Sequence, residues 1–283
     1  MGRTATRKEG MALDNRPIGV FDSGLGGLTT VREMAKQLPN ESVVYFGDTG
    51  RVPYGGRSRD TILRYARQDV AFLRTFDLKA IVIACGTVSS TALAELSAEQ
   101  EIPVFGVVGP TALRAAQVTR NNKIGLIATK ATVRTGAYER LIRHANPMAE
   151  TVSRACPLFV PLVENGRTQP GDVVIETIVS DYLTPMRDAG VDTLVLGCTH
   201  YPLLTEVIQN FMGPEVTLLD SGAEVVRQVR ERLQISGHQA EENRRGTYRW
   251  FVSDTTDSFV ELASRFLGRS VTERVGQVAI ERY

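Results

Sequence analysis

IGVFDSGLGGLTTVREMAKQL (18–38) is the stretch whose reading decides the fold. It opens on a short apolar run, IGVFDS, turns through glycines, and resumes from Leu28 to Leu38 with apolar residues at helical spacing. A strand fed through a glycine turn into a helix is the first half of a βαβ unit, and the pattern recurs. SVVYFGD (42–48), AIVIACG (80–86) and PVFGVVG (103–109) read as further strands, with helices over Ser58–Phe76 and Ser89–Gln100. Continuous apolar strands alternating with helices predict parallel strands buried on both faces by crossover helices.

A second series follows in KIGLIAT (123–129), ETVSRACPLFV (150–160), DTLVLGC (192–198) and EVTLLDS (215–221), again with helical stretches between. A helix near 223–234, a polar stretch ISGHQAEENRRG (235–246), a strand TYRWFVSD (247–254) and a helix DSFVELASRFLG (257–268) would return the chain to the first unit. The expected fold class is therefore α/β with two similar lobes, each a parallel sheet flanked by helices, and the active site in the cleft between them. The expected domains are 16–109 with 222–283, and 110–221. Residues 1–15, polar and without an apolar core that would make a secretory signal, read as a disordered tail, with Met11 an alternative start.

Composition narrows the function. Of 283 residues, 42% are hydrophobic and 23% charged, ordinary globular values, and no apolar run approaches a membrane span. With 33 basic and 32 acidic residues the net charge is +1, which provides no field for nucleic acid or an acidic surface and favours a small-molecule substrate. Three scattered cysteines, 85, 156 and 198, form neither a disulfide framework nor a zinc spacing, so no metal is expected and reduced thiols in a cytoplasmic protein fit.

Chemistry concentrates where strands end, because open parallel sheets gather ligands at their carboxyl edges beside helix N-termini. Cys85 and Cys198 occupy such places in corresponding strands, AIVIACGT and DTLVLGCT. A thiolate near a helix N-terminus is favoured by the dipole, so each thiol is expected to be capable of acting as a base near neutral pH. Two facing thiols supply what inversion of a carbon centre needs: one group removes a proton from one face and another delivers a proton to the opposite face. Taken singly, either cysteine reads more readily as a small core residue; the matched pair is what points to chemistry.

Of the three histidines, His200 in GCTHYP lies two residues from Cys198 and could exchange a proton with it; the bland alternative is a loop residue before Pro202. His144 ends a helical run and His238 lies in the polar stretch, so neither attracts a catalytic role. In DSGLGGL, Asp22 and Ser23 end the first strand. The spacing is not that of a dinucleotide loop, leaving Asp22 as an acidic partner for a substrate ammonium or a thiol, Ser23 as a donor, or both as structural caps. RVPYGGRS (51–58) is a Pro/Gly turn in which Tyr54 and Gly55 are candidates for carboxylate contact.

Together and in this order, DSGLGGL, PYGGRS, ACGTVSS, ACPLFVPLVE and GCTHYP resemble the glutamate racemase family from Arg16 onward. The resemblance implies two lobes enclosing glutamate and no cofactor. It makes Cys85 and Cys198 the catalytic proton donor and acceptor, Cys85 deprotonating D-glutamate and Cys198 L-glutamate. Asp22, Ser23, Tyr54, Gly55, Gly86, Thr87, Thr199 and His200 would bind substrate or position the thiols, and Glu164 would tune the Cys198 and His200 side. It also implies a cytoplasmic homodimer supplying D-glutamate for peptidoglycan. One position departs: the family usually has Asn between the first cysteine and the threonine, where this chain has Gly86, leaving a backbone N–H in place of an amide side chain. Aspartate and hydantoin racemases are related alternatives. A cysteine hydrolase using Cys198 and His200 would give Cys85 no necessary role. A non-catalytic binding protein closing on an amino acid is the third class.

Overall fold

The computed structural model describes residues 13–254 and 259–283. Its strands form two all-parallel sheets. In the first sheet, Val275–Gln277 (β10), Tyr248–Val252 (β9), Val43–Gly47 (β2), Ile18–Asp22 (β1), Ala80–Ile83 (β3) and Val104–Gly106 (β4) lie side by side in that order. In the second the order is Glu150–Ala155 (β6), Lys123–Ala128 (β5), Thr193–Leu196 (β7) and Thr217–Asp220 (β8). Every pairing is parallel, with Val20 registered against Tyr45 and Val82, and Leu126 against Ser153 and Val195. The α/β fold of two helix-flanked parallel sheets is therefore as expected.

The central strands β1, β2, β3 and β7 are buried at every residue, which explains why they read as unbroken apolar runs. β6 is an edge strand, mostly half-exposed, and its sequence carries Glu150, Ser153 and Arg154 accordingly. Leu28–Gln37 (α1) and Arg59–Leu73 (α2) pack on the first sheet. Val108–Val118 (α5) and Ser221–Ser236 (α11) pack on each other, and α11 also packs on α1.

Several boundaries differ from the sequence reading. The strand expected over 150–160 stops at Ala155; Cys156 still donates to the Ala128 carbonyl at 3.0 Å, but Pro157 follows, and the chain turns into the helix Phe159–Glu164 (α8). A proline lacks the N–H to continue the ladder. The strand expected over 103–109 is cut to three residues because the chain enters α5 at Val108. The helix expected from Ser89 begins earlier, as Gly86–Thr91 (α3), breaks at Ala92 and resumes as Leu93–Ala98 (α4). β10 has no apolar run and was not expected. The helix expected over 257–268 is seen as Phe259–Leu267 (α12); Asp257 and Ser258 lie outside the described residues.

Most of the tail expected over 1–15 also lies outside the described residues. Its last positions are held: Asp14 donates its N–H to the Gln239 carbonyl at 2.9 Å, accepts from Arg16, and gives its carbonyl to Lys79 Nζ at 2.7 Å. No helix among the described residues is long and apolar enough to cross a membrane.

Candidate active site

The carboxyl ends of β1, β3 and β7 converge where the two lobes meet. Cys85 and Cys198 each follow their strand by two residues, Cys85 at the N-cap position of α3. Both are buried, at 4% and 8% exposure, and they pack into different apolar clusters, Cys85 into one confined to the first lobe and Cys198 into a larger one that runs through both. The backbones come closest between the residues flanking them: a Cβ placed on Gly86 would lie 2.5 Å from the Gly197 carbonyl oxygen. The peptide after Cys85 thus rests against the peptide before Cys198.

Each thiol has its own polar company. The Cys85 thiol donates to Ser23 Oγ at 3.3 Å. Burial, reinforced by the charge of Asp22, pushes this thiol up to about 12, against the hydrogen bonds from Ser23 and the Val88 N–H. The expectation that the helix N-terminus would bring Cys85 within reach of ionisation near neutral pH is therefore not met: a six-residue helix does not offset full desolvation.

Around Cys198, His200 Nδ1 lies 3.9 Å from the sulfur and 3.4 Å from Thr199 Oγ1, and His200 Nε2 lies 3.1 Å from Glu164 Oε1. Burial works against a charge on this imidazole, but its hydrogen bonds to Cys198 and Glu164 outweigh that and raise it to about 10. The Phe266 ring of α12 meets the His200 ring edge-on at 5.1 Å.

Asp22 is 1% exposed; its Oδ2 accepts from the Gly24 N–H at 3.1 Å, while Oδ1 has no hydrogen-bond partner among the described residues. Burial pushes its carboxyl up, opposed by the charge of His200 and by backbone N–H groups of Gly27, Gly24 and Ser23. The glycines of DSGLGGL prove to be spacers. A Cβ on Gly26 would run into Thr199 Oγ1 and the His200 ring, and Thr29 Oγ1 of the same segment donates to the Thr199 carbonyl at 3.0 Å. Thr87 is 3% exposed, with its hydroxyl 3.1 Å from that of Thr129, which caps Lys130–Thr135 (α6) in the other lobe.

The Pro/Gly turn behaves differently from its reading. Gly55 faces Thr129 across the seam. Tyr54, by contrast, is 1% exposed and turns its phenol into the first lobe, donating to Asp48 and lying 3.1 Å from Asp69. Arg51 joins the same cluster, donating to Asp48 at 2.6 Å and Asp69 at 2.9 Å. Burial and the neighbouring carboxylates raise the Tyr54 phenol and the Asp69 carboxyl strongly. Carboxylate contact through the Tyr54 hydroxyl is thus not available in this arrangement, because a buried cluster occupies it; the backbone of the turn remains.

The structure brings Asp22, Ser23, Gly55, Cys85, Gly86, Thr87, Cys198, Thr199, His200 and Glu164 to the seam. Sequence reasoning missed Thr29, Thr129 and Phe266, whose only signal was membership of helices or caps facing the cleft. Cys156 is fully buried in the main core. Among the described residues no three His, Cys, Asp or Glu converge as a metal site.

A family profile described as Asp/Glu/Hydantoin racemase matches residues 18–229. The glutamate racemase of Geobacter metallireducens is 47% identical over 266 residues, covering 94% of this chain and 97% of that protein. Two solved structures superpose closely. A glutamate racemase isoform from Bacillus anthracis has a TM-score of 0.88 at 38% identity, covering 94% of this chain and 98% of its own. The Francisella tularensis glutamate racemase, in complex with D-glutamate, has a TM-score of 0.87 at 36% identity, covering 96% and 100%.

Proposed function

Since the chain belongs to the Asp/Glu/hydantoin racemase family, we propose that it is a cofactor-independent glutamate racemase in which Cys85 and Cys198 act as the paired acid and base. The observation that carries the two-thiol reading is the meeting of the β3 and β7 ends, which sets the two cysteines on either side of one backbone contact.

Glutamate would lie between the thiols with its ammonium against the unpartnered Oδ1 of Asp22 and its α-carboxylate toward the N–H groups of Gly86, Thr87, Thr199 and His200, with Ser23 and Gly55 nearby. The ammonium would neutralise the charge that opposes ionisation of Cys85, helping to form its thiolate once substrate is bound. From D-glutamate, the Cys85 thiolate takes the α-proton as the Cα–H bond breaks. The electron pair is delocalised into the carboxylate, and the Cys198 S–H delivers its proton to the opposite face. L-glutamate leaves with Cys85 as thiol and Cys198 as thiolate; the reverse reaction exchanges the roles. His200, held as an imidazolium beside Cys198, stabilises negative charge on that side, and Glu164 orients it. An α-proton is so weakly acidic that the buried, preorganised donors must bear most of the barrier reduction.

We take the lobes to be 16–109 with 222–283, and 110–221. A cytoplasmic homodimer supplying D-glutamate for peptidoglycan is the setting suggested by the family resemblance. The test is racemisation of L- and D-glutamate in D₂O without added cofactor, followed by optical rotation and α-deuterium incorporation. Native protein should turn over in both directions, and Cys85→Ala and Cys198→Ala should each lose it. Full racemisation by either variant would overturn the paired mechanism.

A further inference from the structure

The chain that follows Cys198 winds as a tight turn of i to i+3 hydrogen bonds with one rung missing. The Tyr201 N–H donates to the Cys198 carbonyl at 3.1 Å, and the Leu203 N–H donates to the His200 carbonyl at 3.1 Å. The rung between them would take the N–H of residue 202 to the Thr199 carbonyl, but Pro202 has no N–H to give. The missing donor comes from the first lobe. Thr29, in the first turn of α1 and 1% exposed, donates its hydroxyl to the Thr199 carbonyl at 3.0 Å. The same hydroxyl lies 2.9 Å from the Gly26 carbonyl, and a hydroxyl has one proton to give. Gly26 is already served by the Thr29 N–H at 3.0 Å, whereas among the described residues the Thr199 carbonyl has no other donor.

We infer that Thr29 is a positioning residue: its hydroxyl replaces the N–H that Pro202 lacks and so fixes the plane of the Thr199–His200 peptide beside Cys198. That peptide is trans, since the one cis bond among the described residues is Val52–Pro53. In a planar trans unit the carbonyl and the following N–H point in opposite directions, so a carbonyl held by Thr29 also holds the His200 N–H. The same plane carries the His200 Cα, from which the imidazole brings Nδ1 to 3.9 Å from the Cys198 sulfur. The inference rests on the proposed racemase reading, in which the His200 N–H faces the α-carboxylate. Charge builds on that carboxylate as the α-proton leaves, so a donor held in place acts more on the transition state than on bound substrate. Deleting an oxyanion donor outright costs about 100- to 1000-fold in kcat; a donor still present but no longer fixed should cost less, on the order of 10-fold.

The experiment measures kcat and KM from both enantiomers of glutamate for full-length native protein, Thr29→Val, Thr29→Ser, and Thr29→Val combined with Pro202→Ala. Valine keeps the shape and deletes the hydroxyl, and should lower kcat about 10-fold in both directions with KM changed much less. Serine keeps the hydroxyl and should restore most of the native kcat. Pro202→Ala offers the Thr199 carbonyl a backbone N–H of its own, so the combined variant should also recover most of the loss, which a packing role for Thr29 would not produce. The combined variant guards against a folding failure of Thr29→Val as well, because the carbonyl left without a donor is served again. Native kcat in Thr29→Val, or a loss that serine or Pro202→Ala fails to repair, would overturn the inference. Failure of the underlying reading would show instead as racemisation surviving Cys85→Ala, or absent from the native protein.

Discussion

Replacing Glu164 with Gln keeps a hydrogen-bond acceptor beside His200 Nε2 and removes only the charge. His200 is buried and raised from 6.5 to about 10 by its bonds to Cys198 and Glu164 against the opposing effect of burial. A shift of that size corresponds to roughly 4–5 kcal/mol of preference for the charged form. The part due to Glu164 is much smaller, because its side chain is 46% exposed and solvent screens it; about 1 kcal/mol is reasonable, or roughly 0.7 pH units. The sign follows from linkage. A histidine whose folded value is raised contributes stability that is fully present below 6.5 and lost as pH rises through about 10, so losing part of the shift moves that upper boundary down. The assay is a ¹H–¹³C NMR titration of the imidazole Cε1 signals. The chain has only three histidines, and substituting His144 and His238 in turn assigns the third signal to His200. Native His200 should titrate near 10 and the Glu164→Gln variant lower by roughly half to one unit. An unchanged or raised midpoint in the variant, or a native midpoint at or below 6.5, would refute the reasoning.

Lys79→Met should destabilise the fold by about 3–5 kcal/mol, because Lys79 Nζ lies 2.5 Å from Glu41 Oε2 with both side chains almost fully buried, and its removal strands a carboxylate. Adding Glu41→Leu should recover most of the loss; urea unfolding followed through Trp250, the single tryptophan, measures both, and a loss under about 1 kcal/mol in the single variant would count against the argument. Phe266→Ala should cost about 3–5 kcal/mol by the same measurement and should broaden the His200 NMR signal, since the ring is 1% exposed and packs edge-on against that imidazole. An unchanged His200 signal would mean the ring packs there without restraining the histidine.

The strands were legible because full burial demands apolar residues on both faces, as in Ile18–Asp22 and Thr193–Leu196. Val275–Gln277 was not, because a three-residue edge strand with a central glycine is defined by its ladder to Tyr248–Val252 rather than by its own pattern. The 156–160 misreading has the same root: Phe159–Glu164 is too short to display a helical period and contains Pro161. At the site, the cysteines, His200 and Asp22 stood out from their residue types at strand ends, whereas Glu164 stood out only through the family resemblance; the structure brings all of them to the seam. Tyr54 could not be placed, because the direction of its phenol depends on Asp48 and on Asp69, a full helix further along the chain.

The largest gap concerned the thiols themselves. Position at a helix start predicts easier ionisation, yet desolvation and Asp22 together drive Cys85 the other way, up to about 12. The two sides of the seam are consequently unlike: a buried carboxyl stands behind Cys85, whereas beside Cys198 stands His200, whose charged form Cys198 and Glu164 favour against burial. A Cys85 thiol with a high proton affinity is unreactive while protonated and strongly basic once ionised, which suits a proton as reluctant as the one on an amino-acid α-carbon. What must then be arranged is ionisation only when substrate is present. In the proposed mechanism Asp22 would serve that end: its Oδ1 has no hydrogen-bond partner among the described residues, and a bound ammonium there would compensate the same charge that keeps Cys85 protonated in its absence. On this view Asp22 couples binding to activation, so that the thiolate forms only when the α-proton it must remove is held beside it.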